Sequence, residues 1–114
     1  MRFRFFENQF HGGLLAETLN GGFRDEFLAS YAGDDLIRAG DGNDSAQGGE
    51  GADTLQGGNG GDQMLGGAGA DLLDGGADGD RMHGEAGADT LLGGVGDDIM
   101  AGGADNDSLD GGRN

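Results

Sequence analysis

The chain contains no cysteine and no lysine, and only six arginines stand against 22 acidic residues. Without cysteine, a disulfide framework and a thiolate metal site are both impossible. The lack of a basic patch argues against nucleic acid as a partner and disfavours binding to an anionic membrane surface. The formal net charge of −16 makes divalent cations the natural partners of this surface.

Long apolar runs are also missing. No segment approaches the ~20 apolar residues that span a bilayer, so we expect no membrane insertion. At the N-terminus, charged and polar residues such as Arg2, Arg4 and Glu7 interrupt the phenylalanines, which is unlike the apolar stretch of a signal peptide. We therefore expect that any export does not use an N-terminal signal.

Proline is absent and glycine is abundant, with 29 copies, a composition that is typical of flexible low-complexity chains. The order of the residues instead indicates a regular, ordered structure. An aspartate recurs every nine residues without a break, which predicts one small structural unit stacked on copies of itself. The repeat aspartates are Asp35, Asp44, Asp53, Asp62, Asp71, Asp80, Asp89, Asp98 and Asp107.

Each nine-residue unit, such as GGEGADTLQ, has a glycine-rich front and a three-residue back in which one apolar residue stands between two mostly polar ones. The back half, for example Thr54-Leu55-Gln56, predicts a very short strand with one inward side chain. The front half predicts a sharp turn, since glycine tolerates positive φ. Two units then form one coil of eighteen residues with two strands.

The first part of the chain has a different composition but keeps the same register. All the aromatic residues lie before position 32, and Glu26, Glu17 and Asn8 continue the nine-residue spacing backwards from Asp35. We interpret residues 1–38 as degenerate repeats that cap the stack, because terminal repeats of solenoids are atypical, and residues 39–114 as the regular repeats of one continuous domain. A short helix around residues 14–19 is the alternative.

Stacked coils would align aspartates eighteen residues apart along two edges. With strands ~4.8 Å apart, neighbouring carboxylates would repel by roughly 1 kcal/mol in water and about 3 to 4 kcal/mol at an effective dielectric near 20. Two inward side chains per coil bury too little apolar surface to offset this repulsion and the ordering entropy. A cation between the aspartates would reverse the sign of the interaction, and its binding would become folding free energy.

The available ligands select the cation. Carboxylates and turn carbonyls are hard oxygen donors, which suit Ca²⁺ with its six to eight oxygen ligands in irregular geometry. Mg²⁺ demands a tight octahedron and keeps its waters. The units also resemble the calcium-binding nonapeptide of the RTX (repeat-in-toxin) family, G-G-x-G-x-D-x-U-x; GGEGADTLQ, GGNGGDQML, GGAGADLLD and GGVGDDIMA match every defined position.

This resemblance, strong over residues 39–112 and weak over 3–38, implies an all-β fold, a right-handed parallel β-roll with a degenerate N-terminal cap. It implies Ca²⁺ between adjacent turns, held by the nine repeat aspartates and by turn carbonyls, in about seven inter-coil sites. The implied carbonyl positions are Gly40, Gly42, Gly49, Gly51, Gly58, Gly60, Gly67, Gly69, Gly76, Gly87, Gly94, Gly96 and Gly103.

Some units depart from the pattern. Asp78 and Asp105 replace the fourth-position glycine, and Glu85 a second-position one, so we expect weaker or distorted sites near them. In the cap, Glu17 and Glu26 replace the repeat aspartate, so the resemblance does not carry calcium sites into these turns.

The resemblance implies a function in calcium binding that drives folding of a module secreted through type I secretion machinery. Sensor-grade or weaker sites would stay empty in the cytosol and fill outside the cell. The family's usual non-repetitive C-terminal signal is not visible in the last residues, Gly111 to Asn114, so the export route stays open. The exposed edge of the last coil could pair with a second molecule.

Catalysis is not expected, because acidic pairs occur in every unit and none is singled out. Two other interpretations remain. The chain could be the non-catalytic repeat module of a secreted enzyme such as a protease, lipase or alginate epimerase. It could also be an adhesin or another surface-binding solenoid, although the residues predicted to face outwards are irregular.

Overall fold

The computed structural model describes residues 4–6, 9–11, 13 and 15–112. These residues form thirteen short strands and no helix. The strands are β1 (Arg4–Phe6), β2 (Gln9–His11), β3 (Thr18–Asn20), β4 (Phe27–Ala29), β5 (Leu36–Arg38), β6 (Ser45–Glu50), β7 (Thr54–Gly58), β8 (Gln63–Ala68), β9 (Leu72–Gly76), β10 (Arg81–Ala86), β11 (Thr90–Leu92), β12 (Ile99–Gly103) and β13 (Ser108–Asp110).

Successive strands from β2 onwards alternate between two sheets. Sheet I has the order β1-β2-β4-β6-β8-β10-β12, and sheet II has the order β13-β11-β9-β7-β5-β3. From β2 to β13 the neighbours are parallel, with partners eighteen residues apart, as in Leu55 opposite Leu73. The predicted all-β roll with about 18 residues per coil is confirmed, as a two-sheet solenoid of about 5 turns.

The N-terminal strands continue the same register. Gln9 pairs with Phe27, and Thr18 pairs with Leu36, each across eighteen residues. β1 departs from the repeat, since it runs antiparallel to β2 and occupies the end of sheet I. Position 8 of the predicted register and position 14 of the alternative helix lie outside the described residues; Thr18–Asn20 is a strand, so that helix is not formed there.

The core is a single layer between the two sheets. From β3 to β11 the second residue of each strand is buried between the sheets, and Leu55, Met64 and Leu73 are fully inaccessible to solvent. The two ends of the described stack differ. Leu19, in the first strand of sheet II, is 1% exposed, whereas Leu109, in the last strand of that sheet, is 45% exposed.

Several strands extend beyond the three residues that the sequence predicts. β6 and β8 each span six residues and run through the glycine pair of the next unit, and β10 spans six residues and runs through Gly84 and Glu85, where glutamate replaces the second glycine. Gly49 pairs with Gly67 in this extension, and the alternation of burial continues, so that Met64 and Gly66 are both buried. The predicted boundary between strand and turn was wrong, because the glycine pair continues the inter-coil ladder. No helix in the described residues is long and apolar enough to cross a membrane.

Candidate metal centres

The repeat aspartates lie where each turn enters a strand, along the two edges of the solenoid. Asp44, Asp62, Asp80 and Asp98 follow the turns that lead into sheet I, and the other five follow the turns that lead into sheet II. From Asp35 to Asp89 they are only 1–4% exposed. The stacking that the spacing predicted therefore places acidic side chains inside the structure.

One carboxylate oxygen of each repeat aspartate is tied to the preceding coil. The Asp53 N–H donates to Oδ1 of Asp71 at 2.8 Å, and the Asp71 N–H donates to Oδ1 of Asp89 at 2.8 Å. The other edge repeats the pattern, with the Asp62 N–H 2.8 Å from Oδ1 of Asp80. These bonds fix the orientation of every carboxylate against the coil before it.

The second carboxylate oxygen has no such partner. Among the described residues, Oδ2 is buried without a hydrogen bond in eight repeat aspartates. A buried ionised oxygen without a partner is strongly unfavourable. A cation beside these oxygens would remove the penalty. The eight are Asp35, Asp44, Asp53, Asp62, Asp71, Asp80, Asp89 and Asp98.

The first glycine of each pair makes room for this oxygen. A Cβ placed on Gly75 would collide with Oδ2 of Asp80 and would lie 2.8 Å from the carbonyl oxygen of Gly93. The same contact with the aspartate five residues ahead recurs from Gly48 to Gly102. Sequence reasoning assigned these glycines only to the turn and missed their contact with the carboxylate. The glycine pair in most units was the signal that could have revealed it.

The second and fourth glycines serve the turn itself. Gly58 and Gly60 have φ values of 91° and 106°, and a Cβ on either would strike the carbonyl of the matching glycine in the preceding coil. The Gly58 carbonyl already accepts the Ala77 N–H at 2.9 Å. The predicted carbonyl positions are thus stacked from coil to coil, and their role as metal ligands stays a prediction.

Three acidic residues replace turn glycines without changing the backbone conformation. Asp78, Glu85 and Asp105 have φ values of 73°, 79° and 77°. Asp tolerates this left-handed region better than most residues. The Asp78 carboxylate accepts the Gly60 N–H at 2.9 Å, and a similar bond from Gly87 to Asp105 measures 3.0 Å. Each of these two aspartates therefore adds one inter-coil hydrogen bond of its own.

The two glutamate turns of the cap are built differently. Glu17 accepts the Gly13 N–H at 2.6 Å, and Glu26 accepts the Gly22 N–H at 2.7 Å. The extra methylene lets each carboxylate reach back to an amide of its own turn, four residues earlier. Neither glutamate is left with a buried oxygen that lacks a hydrogen bond. These turns provide hydrogen bonds to their carboxylates without a cation. This agrees with the sequence analysis, in which the resemblance does not carry calcium sites into the cap.

Burial raises the pKa of seven repeat aspartates, those from Asp35 to Asp89, above the ordinary value near 4. Desolvation is the main cause; the hydrogen bond from the preceding coil lowers the pKa, and neighbouring carboxylates raise it again. The pKa of Asp35 and that of Asp89 are raised in the same way. The pKa is about 6 for Asp44 and Asp53, about 7 for Asp71 and Asp80, and about 8 for Asp62.

The donor set fits a hard cation held by mixed ligands. In the described part of the chain, no three side chains of His, Cys, Asp or Glu converge on one point. Carboxylates alone therefore do not complete a cage, and backbone carbonyls must supply the remaining oxygens. Ca²⁺ coordination requires several oxygen ligands from carboxylates and backbone carbonyls. The buried carboxylate oxygens and the neighbouring turn carbonyls are ligands of this kind. The assignment of individual residues as ligands stays a prediction.

The contact between Gly75 and Asp80 predicts that Gly75→Ala destabilises the solenoid. The added methyl group would displace the Asp80 carboxylate, and we expect the free energy of unfolding to fall by about 1–3 kcal/mol. Urea unfolding at a fixed calcium concentration measures it. Gly111→Ala is the matched control, because its Cβ would meet only the Met100 methyl group at 3.8 Å. Equal losses in the two variants would contradict the proposed contact.

The raised pKa values predict that the metal-free solenoid is stabilised by acid. The folded chain binds protons more tightly than the unfolded chain, so this stabilisation is fully present below pH ~4. It is lost as the pH rises through about 6 to 8, where Asp53 and Asp62 ionise. Circular dichroism in metal-free buffer should show more β-structure at pH 5 than at pH 8. A β-signal that grows with pH would contradict this.

The comparisons with known proteins agree with the repeat. The family model of the RTX calcium-binding nonapeptide repeat matches residues 11–46, 20–55, 38–73, 47–82 and 83–114. A search of curated proteins and a search of solved structures each gave no match. Repeats of this family bind calcium in a β-roll, as a structural module, and are typical of secreted proteins. The chain belongs to the RTX calcium-binding nonapeptide repeat family.

Proposed function

We propose that calcium binding at the two edges of this solenoid drives its folding, and that the folded module works outside the cell. The observation that supports this most strongly is the row of buried Oδ2 atoms that have no hydrogen bond. At neutral pH each carboxylate must otherwise either stay protonated or remain charged and unpaired. A divalent cation removes both penalties for the carboxylates that share it.

Each calcium site would lie between consecutive coils. The carboxylates of the repeat aspartates, such as Asp53 and Asp71, would supply charge, and turn carbonyls would supply neutral oxygens. The first edge offers three intervals between repeat aspartates and the second offers four, which gives about seven ions. When bound, the ion supplies only charge compensation and oxygen coordination; the residues themselves set the spacing of the coils.

The order of the sites along the chain follows from the cap. The Glu17 and Glu26 carboxylates are already satisfied by Gly13 and Gly22 of their own turns. These turns would therefore fold without calcium. The first regular coil would then form its hydrogen bonds to strands that are already folded. Calcium-dependent coils would begin at Asp35, whose Oδ2 is the first buried oxygen without a hydrogen-bond partner in the part of the chain that the structure describes.

Secretion fits this dependence on calcium. Sites of sensor-grade or weaker affinity remain empty at cytosolic calcium and fill in the extracellular medium. An unfolded chain with no cysteine would pass a type I secretion channel and then fold on the far side. Export through type I machinery and an extracellular location are therefore parts of the proposal.

Two alternatives concern the context of the module. It would serve equally as the non-catalytic repeat part of a secreted enzyme, since nothing in the β-roll itself is specific to one parent. A surface-binding solenoid is the other. Self-association through strand edges stays a prediction; among the described residues β12 and β13 are the outermost strands of their sheets, and Leu109 is 45% exposed.

The proposal predicts opposite effects of Asp71→Asn with and without calcium. Asparagine keeps an oxygen for the Asp53 N–H, now 2.8 Å from Oδ1, but removes the buried charge. Without calcium the variant should therefore be more stable than the parent chain at pH 8. With calcium, we expect the midpoint of the folding titration to rise roughly tenfold, the factor that corresponds to ~1.4 kcal/mol.

The control is Asp110→Asn, which removes the same charge from an exposed residue at the end of β13. This variant should leave the calcium midpoint close to that of the parent chain. Calcium titrations followed by circular dichroism, with parallel urea unfolding in chelator, measure both effects. If Asp71→Asn weakens the fold equally in both conditions, the carboxylate is only structural and the proposal fails.

A further inference from the structure

Asparagine followed by glycine occurs twice in the chain, as Asn20-Gly21 and as Asn59-Gly60. Such a pair can react without an enzyme, because glycine has no Cβ to keep its backbone nitrogen away from the preceding side chain. The glycine nitrogen attacks Cγ of the asparagine and closes a five-membered succinimide ring, while the side-chain nitrogen leaves as ammonia. Water then opens the ring and gives aspartate or isoaspartate.

The two pairs occupy different places in the fold. Asn20 is the last residue of β3, and the Gly21 N–H donates to the Arg38 carbonyl at 2.7 Å, so the backbone ladder of sheet II holds this pair. Asn59 is exposed on the turn between β7 and β8, and its pairing with Asp41 is an isolated bridge outside the strands. Any restraint on the second pair therefore depends on the contacts of this turn.

Side chains of the two neighbouring coils hold both of the groups that would react. The Asn59 side-chain amide donates to Oδ1 of Asp41, one coil earlier, at 3.0 Å. The Gly60 N–H donates to Oδ2 of Asp78, one coil later, at 2.9 Å. A nucleophile and its target must come within ~3–3.5 Å in an aligned geometry before they react. The two hydrogen bonds point to opposite neighbours, so the folded turn restrains this approach.

The acceptor for the Gly60 N–H is a departure from the repeat. Asp78 stands where the pattern has glycine, and its φ is 73°. A hydrogen bond to a carboxylate is stronger than one between neutral groups, so this exchange adds a firm restraint at the reacting nitrogen. Asp105 is an equivalent exchange in another coil, but its partner Gly87 follows Ala86, which has no side-chain amide to react.

We propose that Asn59 is a site of spontaneous deamidation, which reacts in the unfolded chain and is protected in the folded chain by Asp41 and Asp78. The proposal rests on the proposed function in one respect, since calcium is taken to control folding. Deamidation places a second carboxylate opposite Asp41, and isoaspartate adds one methylene to the backbone between Gly58 and Gly60. Both changes oppose closure of this turn, so a chain that stays unfolded loses part of its capacity to fold with calcium.

The test follows deamidation of the full chain at pH 8 by peptide mapping with mass spectrometry, in excess calcium, in chelator and in guanidinium chloride. Circular dichroism shows which samples are folded. We expect deamidation at Asn59 to be at least about tenfold slower in the folded chain than in guanidinium chloride, which corresponds to ~1.4 kcal/mol of barrier. The rate in chelator should match that of the unfolded chain. A chelator sample that is folded and protected would contradict the proposed function while it supports protection by the fold.

Asp78→Gly restores the glycine of the repeat and removes the hydrogen bond to Gly60. In calcium, this variant should deamidate at Asn59 at least about fivefold faster, with no change at Asn20. Asp105→Gly is the matched control and should change neither rate. The proposal is overturned if the folded parent chain reacts at Asn59 as fast as the unfolded chain. It is also overturned if Asp78→Gly leaves the rate at Asn59 unchanged, or accelerates both asparagines equally.

Discussion

The carboxylate of the repeat aspartate is the group on which the geometry and the energetics of this solenoid both depend. Its Oδ1 accepts the N–H of the aspartate one coil earlier, as between Asp53 and Asp71 at 2.8 Å. Its Oδ2 is buried and has no hydrogen-bond partner in eight described residues. The hydrogen bond to Oδ1 thus sets the alignment of neighbouring coils. While the carboxylate is charged, its buried Oδ2 destabilises the same stacking. A bound cation would resolve this conflict, as the proposed function requires.

The glycines and the cap follow from the same constraint. A Cβ on Gly75 would occupy the space of the Asp80 carboxylate, so the first glycine of that pair is required by the charge and not only by the turn. In the cap, where glutamate replaces aspartate, the Glu26 carboxylate accepts a hydrogen bond from the Gly22 N–H. Under the proposed function, the glutamate turns would fold without a cation, whereas the following coils would need compensation for their buried charge. Folding would then proceed from the cap towards the regular repeats.

Much of this architecture could be predicted from the spacing of a few residues. The nine-residue period of the aspartates, with an apolar residue such as Leu55 or Leu73 two positions later, fixes strand positions and the eighteen-residue register. The periodicity could not predict β1, because an antiparallel strand at the end of the stack belongs to no repeat. It also placed the end of β6 too early, since glycine appeared only as a turn signal while Gly49 continues the ladder to Gly67.

The candidate site was predictable in its residues but not in its internal bonding. Spacing alone placed Asp35 to Asp107 along two edges, but it could not show which carboxylate oxygen is tied and which is not. That distinction needs the positions of the backbone amides one coil away. The return of the Glu17 carboxylate to its own turn depends on one extra methylene. The hydrogen bonds around Asn59 involve Asp41 and Asp78, at positions that vary between units, so the repeat pattern carried no information about them.

The most direct measurement is far-UV circular dichroism of the chain at pH 8, titrated with Ca²⁺ into the millimolar range, then with chelator, and in parallel with Mg²⁺. The account predicts a cooperative change from coil to β-structure with Ca²⁺, its reversal by chelator, and no comparable change with Mg²⁺. A chain that is equally β-structured in chelator and does not respond to Ca²⁺ would contradict the claim that charge compensation at the repeat aspartates controls folding.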